Sequence, residues 1–189
     1  IEPTDSKETL EGIGICESGT DRHERIQYLV SCMDNAEWID VAEHIRARDF
    51  LGTEVVEQKG METKCYNKAH NMSFLCDGLI NYKGAKYILE IKTEMYMKFA
   101  KRFNVEPKHL LQATCYSICL GVDHVLFLYE DRNICLKKAY EVEVTQEMKK
   151  EVYKIMDDVN LALEIDVYPD KSTNKKDCTY CRYKQECKK

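Results

Sequence analysis

Three charged residues, Asp77, Glu90 and Lys92, interrupt FLCDGLINYKGAKYILEIKTE, Phe74 to Glu94, which otherwise reads as two apolar strands around an Asn-Tyr-Lys-Gly turn. With the turn centred between Lys83 and Gly84, Asp77 comes opposite Glu90, and opposed residues of a hairpin project to one face. Lys92, two residues beyond Glu90, shares that face. The neighbours are Leu, Ile, Phe, Cys and Tyr, the composition of strands covered on both sides. Two carboxylates there are costly unless a cation neutralises them. Hard oxygen ligands with spare coordination positions suit Mg2+ or Mn2+, which can hold a phosphate oxygen and activate a water. Lys92 would then orient that water or offset charge on the phosphate. An exposed hairpin carrying an Asp/Glu/Lys ion pair would show the same spacing, so this pattern alone leaves both readings open.

A second cluster is Cys178-x2-Cys181-x5-Cys187, set in a Lys-rich tail with few residues able to build a core. Three thiolates so spaced can grip zinc or an iron-sulfur cluster, and the spacing does not choose between them. The chain has ten cysteines. Cys76, Cys115, Cys119 and Cys135 sit in apolar runs, where Cys acts as a small hydrophobe. The usage fits metal binding in a reducing compartment better than a disulfide framework.

The elements that must position these residues follow from periodicity. TDRHERIQYLVSCM offers Thr20 as an N-cap and Ile26, Leu29, Val30 and Met33 at helical spacing, with His23 on the same apolar face. A second helix is expected over Ala36 to Phe50. TEVVEQKG and ETKCYNKA alternate like strands and precede the hairpin. Pro107 opens PKHLLQATCYSICLG, apolar almost all round, closed by Gly121 and expected to be largely buried. DHVLFLYED and NICLKKAYEVEV read as strands, and Thr145 to Leu163 as an amphipathic helix. This order suggests an α/β or α+β domain around a mixed sheet flanked by helices. Residues 1–167 form the expected domain, and 168–189 a cysteine-rich tail packed on it.

At 189 residues the chain suffices for one domain with a real core. It opens on Ile1 rather than Met, so the native amino terminus is expected upstream. No signal peptide or membrane-length apolar run is present, which leads us to expect an intracellular, cytoplasmic protein without a membrane partner. The net charge of −5 is not that of a strongly basic nucleic-acid binder. Basic residues nevertheless outnumber acidic ones from Lys83 to Lys108 and from Lys171 to Lys189, which makes basic surface available at two places.

Asp77 followed by Glu90-Ile91-Lys92 resembles the core of the PD-(D/E)XK nuclease superfamily, with Cys76 in the place of its Pro. GTDRHERIQ resembles the early helix motif of the RecB-type exonuclease branch, whose His, here His23, reaches the metal. Gln112 and Tyr116 resemble that branch's Q-x3-Y motif, and at a spacing of four they share a helix face. The tail resembles that of the CRISPR-associated members that carry an iron-sulfur cluster.

The resemblance, from about Gly19 to Cys187, implies a restriction-endonuclease-like core and a metal-dependent DNA exonuclease acting on single strands or duplex ends. Its setting would be repair, recombination, phage biology or CRISPR adaptation. His23, Asp77, Glu90 and the Ile91 carbonyl would hold Mg2+ or Mn2+, with Lys92 orienting the water and Gln112 and Tyr116 contacting DNA or organising the site. Cys178, Cys181 and Cys187 would hold a structural 4Fe-4S cluster with Cys16, or an upstream Cys, as fourth ligand. Zn2+ is the alternative. A homo-oligomer or a recombination or CRISPR-adaptation partner remains open. Two other readings are a nuclease-fold DNA-binding subunit that does not cut and a zinc-bound interaction module.

Overall fold

The computed structural model describes residues 10–48, 51–167 and 181. Its elements are α1 (Leu10–Ser31), β1 (Ala36–Ile39), α2 (Val41–Arg46), β2 (Thr53–Lys59), β3 (Glu62–Asn67), β4 (Met72–Cys76), β5 (Gly78–Tyr82), β6 (Ala85–Glu94), α3 (Tyr96–Ala100), α4 (Pro107–Leu120), β7 (His124–Asp131), β8 (Lys137–Glu143) and α5 (Gln146–Glu164). The five-stranded sheet has the order β1-β5-β6-β7-β8, and β2-β3-β4 form a second sheet. β6 and β7 are parallel and the other neighbours in the large sheet antiparallel. This is the α+β architecture, a mixed sheet flanked by helices, that the order of elements suggested.

The parallel pair needs a crossover, which α3 and α4 supply. Alternation along β6 divides the core. Leu89 and Ile91 face α1 with Ile26 and Val30. Ile88 faces the other side with Phe74, Tyr116, Phe127 and Tyr129, under α4 and the small sheet. α5 closes over α4 through Ile118, Val152 and Met156. No described helix is long and apolar enough to cross a membrane.

The turn of the central hairpin is read correctly: Tyr82 pairs with Ala85, and Lys83 and Gly84 both have positive φ, 51° and 77°. Two left-handed residues make the type I′ geometry that matches strand twist. The first strand, however, is not continuous. It breaks at Asp77, leaving Met72–Cys76 in the small sheet and Gly78–Tyr82 in the large one.

Other expectations need correction. Thr20 is not an N-cap. It lies inside α1 and donates its Oγ1 hydrogen bond to the Cys16 carbonyl, because the helix begins ten residues earlier, at Leu10. Leu29 and Met33 are exposed, so the buried face of α1 runs through Ile26, Gln27 and Val30. Ala36 to Ile39 is not helical. It pairs with β5, and Asp40 then caps the short α2 by accepting from Glu43 N–H at 2.7 Å. Pairing has overridden local helix propensity there, assisted by close packing: a Cβ on Gly78 would lie 2.3 Å from the Trp38 ring. Only the second half of α4, from Ala113, is well buried. Cys135 is exposed in the β7–β8 connection rather than apolar core. Apart from Cys181, the expected cysteine-rich tail, 168–189, lies outside the described residues.

Candidate metal centre

Asp77 occupies the break between the two sheets, and three elements fix it there. Its Oδ2 accepts the Ile91 N–H at 2.7 Å, its Oδ1 accepts from His23 Nδ1 at 3.1 Å, and its carbonyl accepts from buried Gln27 Nε2 at 2.6 Å. With Nδ1 donating, a neutral His23 ring keeps the Nε2 lone pair for another partner. α1 is anchored beside this contact by Arg22 and Arg25, which flank His23 and reach fully buried Glu130 at 3.8 Å and 2.5 Å. Glu62, at the start of β3, completes a group in which ligand atoms of His23, Glu62 and Asp77 lie within 4.8 Å of one another.

Glu90 enters from β6, 1% exposed. Its Oε1 pairs with Lys92 Nζ at 2.5 Å, while its buried Oε2 has no hydrogen-bond partner. Lys92 also donates to Gln112 Oε1 at 3.0 Å, and Gln112 Nε2 donates to the Tyr116 hydroxyl at 2.6 Å. An ammonium only donates, so it orients the Gln112 amide, whose NH2 must then face Tyr116. Tyr116 stacks on Phe74, ring centres 5.0 Å apart, tying this relay to the small sheet. These residues line one open groove of about 590 Å3.

The electrostatics of the groove show an excess of negative donors. Burial, then the nearby Asp77 charge, push Glu90 up to about 7 despite Lys92. Burial and Asp77 likewise raise Glu62. Burial alone would lower His23, but the hydrogen bond and charge of Asp77 outweigh it and the net direction is upward. His23, Glu62 and Asp77 bring one imidazole and two carboxylates together, a donor set that fits a hard divalent cation such as Mg2+ or Mn2+, and Glu90 lines the same groove.

The structure thus brings His23, Asp77, Glu90, Lys92, Gln112 and Tyr116, expected from sequence, to one groove. Ile91 is adjacent, and the contact it makes there is through its amide, to Asp77. Glu24, one residue from His23, is exposed. Sequence reasoning missed Gln27 and Glu62. Gln27 lies four residues after His23, and that spacing alone would have placed it on the same helix face. Glu62 carries no such signal, because the fold of the small sheet alone brings it to Asp77.

Of the cysteines expected to bind a cluster, Cys16 is exposed on α1 and Cys181 is half-buried. Cys178 and Cys187 lie outside the described residues. Cys65, Cys76 and Cys119 are buried, and burial pushes all three thiols up, Cys65 and Cys119 to about 12. They are unreactive core residues.

No family model matches this chain, and no curated protein matches it. Among solved structures, the crystal structure of SSO0001 is similar over 89% of this chain and 68% of its own, with a TM-score of 0.54 and 18% sequence identity. That likeness concerns the fold.

Proposed function

We propose that this protein is a metal-dependent DNA nuclease of the PD-(D/E)XK type, an exonuclease of the RecB-like branch. The observation that carries the proposal is the meeting of His23, Glu62 and Asp77 ligand atoms in one groove that buried Glu90 and its partner Lys92 also line. Like Glu90, Glu130, which anchors α1, has a buried oxygen without a hydrogen-bond partner, but Arg22, Arg25 and Lys137 surround it, whereas Glu90 has Lys92 alone.

His23, Asp77 and Glu90, with Glu62 and the Ile91 carbonyl as further donors, would hold Mg2+ or Mn2+. When bound, such an ion supplies Lewis acidity and lowers the pKa of a coordinated water. The protein's own part is positional. Ile91 N–H and Gln27 keep Asp77 aimed into the groove, and Arg22 and Arg25 fix the helix that presents His23. Lys92, steadied by Gln112 and Tyr116, orients the attacking water and offsets charge as phosphorus gains one oxygen and releases the other.

The tail cysteines Cys178, Cys181 and Cys187, with Cys16 as candidate fourth ligand, would hold a structural 4Fe-4S cluster, with Zn2+ as the alternative. We place the protein in the cytoplasm, acting on DNA ends in repair, recombination, phage or CRISPR-adaptation pathways.

The test is digestion of end-labelled linear single- and double-stranded DNA with Mn2+, Mg2+ or EDTA, comparing the wild type with Asp77→Ala. The expected result is metal-dependent cutting by the wild type and none by the variant. Cutting that survives the substitution would place the chemistry elsewhere. No cutting by metal- and cluster-loaded protein would favour a DNA-binding subunit without activity of its own.

A further inference from the structure

Just beyond the catalytic strand, the chain exposes what a core would normally hide. Met95, Tyr96, Met97 and Phe103 are 58%, 48%, 68% and 85% exposed within one short stretch. Single exposed apolar residues are ordinary on a protein surface, whereas four so close along the chain call for an explanation. Tyr96 follows Lys92 by four residues, so it lies within about 14 Å of chain from the groove.

The backbone under this surface is heavily fastened. Arg102, adjacent to Phe103, bonds both carboxylate oxygens of Glu94, reaches Glu106 at 3.1 Å and the Asn104 carbonyl at 3.0 Å, and stacks 4.2 Å over Tyr129. Its own carbonyl accepts from Lys138 Nζ at 2.9 Å and the Tyr140 hydroxyl at 3.0 Å, and Lys138 also binds the Phe99 carbonyl. Among the described residues the most exposed aromatic ring, that of Phe103, therefore directly follows a buried and firmly held residue, Arg102. It is a pre-organised platform.

Its charge is also specific. In a chain of net charge −5, this platform is flanked by exposed Lys101, Lys108 and Arg132. Lys108 has only a 3.4 Å contact with Glu106, and Lys101 has no ion-pair partner among the described residues. Arg132 bonds Thr93 Oγ1, next to Lys92 on β6. Exposed aromatic rings interleaved with cations match a nucleic-acid strand whose bases are free to stack and whose phosphates need neutralising. A duplex hides its base faces and cannot use the rings.

Resting on the nuclease reading, we propose that the α3–α4 connection is a stacking platform for single-stranded DNA, with bases on Phe103 and Tyr96 and phosphates on Lys101, Lys108 and Arg132. It selects single strands, or the frayed strand of a duplex end, and feeds that strand to the groove at Lys92.

The test is fluorescence anisotropy with labelled oligo(dT) and a labelled blunt hairpin duplex, in EDTA so that nothing is cut. Phe103→Ala should weaken oligo(dT) binding about tenfold, Tyr96→Ala less, and Phe103→Trp should retain binding. Duplex binding should change less than about twofold, since a duplex offers no unstacked bases. Lys101→Gln should reduce the slope of log affinity against log salt by about 0.7.

Unchanged oligo(dT) affinity in Phe103→Ala, while Asp77→Ala still abolishes cutting, would overturn the platform and leave the nuclease standing. Failure of the wild type to bind or cut any DNA would remove both. A change in solution mass on Phe103→Ala, with DNA affinity intact, would reassign the surface to self-association and overturn the platform too.

Discussion

Glu90 and Glu94 lie four residues apart on β6, on the same face of the sheet, and both are buried. Glu94 is fully engaged: Arg102 bonds both its oxygens and Lys98 adds a third contact at 3.1 Å. Burial alone would raise its pKa, but the hydrogen bonds to Arg102 and Lys98 overcome burial and hold the carboxyl below its usual range. Glu90 has one partner, an unpartnered oxygen, and a pKa pushed up to about 7. Burial is common to both, so it marks neither as functional. What separates them is the cations packed beside each, Arg102 and Lys98 for Glu94 and Lys92 alone for Glu90, and on the proposed reading the second carboxylate is the one left to take a metal.

That contrast breaks most directly at Arg102. Replacing it with Met leaves Glu94 buried with only Lys98, and should cost about 3–5 kcal/mol of stability, measured by urea denaturation. A loss below about 1 kcal/mol would mean that the Glu94 cluster is no more structural than a surface ion pair.

The matching change on the other side is Glu90→Gln. It keeps a hydrogen-bonding partner for Lys92 and removes a poorly compensated charge, so stability should stay within about 1 kcal/mol of wild type. DNA cleavage should nevertheless fall by at least about 100-fold, about 2.7 kcal/mol in transition-state terms. Destabilisation by Glu90→Gln comparable to that of Arg102→Met would erase the distinction between the two glutamates.

Metal addition sharpens the comparison without any chemistry. Mn2+ at about 100 times its dissociation constant should stabilise the wild type by about 2.7 kcal/mol, read as a rise in melting temperature. Asp77→Ala should abolish that rise, whereas Glu94→Gln should keep it despite a lower starting stability. A metal response equally lost in Glu94→Gln would show that the cation site extends to the structural cluster.

The smallest effect concerns His109, which lies between the two regions and hydrogen-bonds the Tyr129 hydroxyl at 2.8 Å. Burial, then the charge of Lys92, lower its pKa to about 4. Between about 6.5 and 4 the unfolded chain therefore binds more protons than the folded one, so stability falls as pH falls through that window. The slope should be at most about 1.4 kcal/mol per pH unit, reduced by solvent screening because the ring is half-exposed. Glu106, held at about 2 chiefly by its hydrogen bond to Lys98, contributes stability above about 4.5 that is lost below it. His109→Gln should flatten the upper window and leave the lower one. Acid unfolding curves from about pH 7 to about pH 2 would show whether the two separate.

Much of the site was legible because its signals are local. The two-residue turn fixes the β5–β6 register, and a strand's period of two then puts Glu90 and Lys92 on one face. A spacing of four on α4 makes Gln112 and Tyr116 neighbours, and they are hydrogen-bonded. The strand at Ala36 to Ile39 was not legible. Its helix-like composition is overruled by pairing with β5 and by the Trp38 ring packed on Gly78. Glu62 and Glu130 were invisible for the same kind of reason, since each acts on a segment far away in sequence.

The sequence by itself determined which side chains were available, the turn, the alternation of the strands and the α+β order of elements, because these depend on steric preferences a few residues long. Only the tertiary structure decided that Asp77 sits in a break between two sheets. It also decided that His23 and Glu62 meet Asp77, and that Glu90 keeps an unpartnered oxygen while Glu94 does not. Desolvation and charge pairing depend on what surrounds a group in three dimensions, and the same glutamate on the same strand takes either role according to the cations packed beside it.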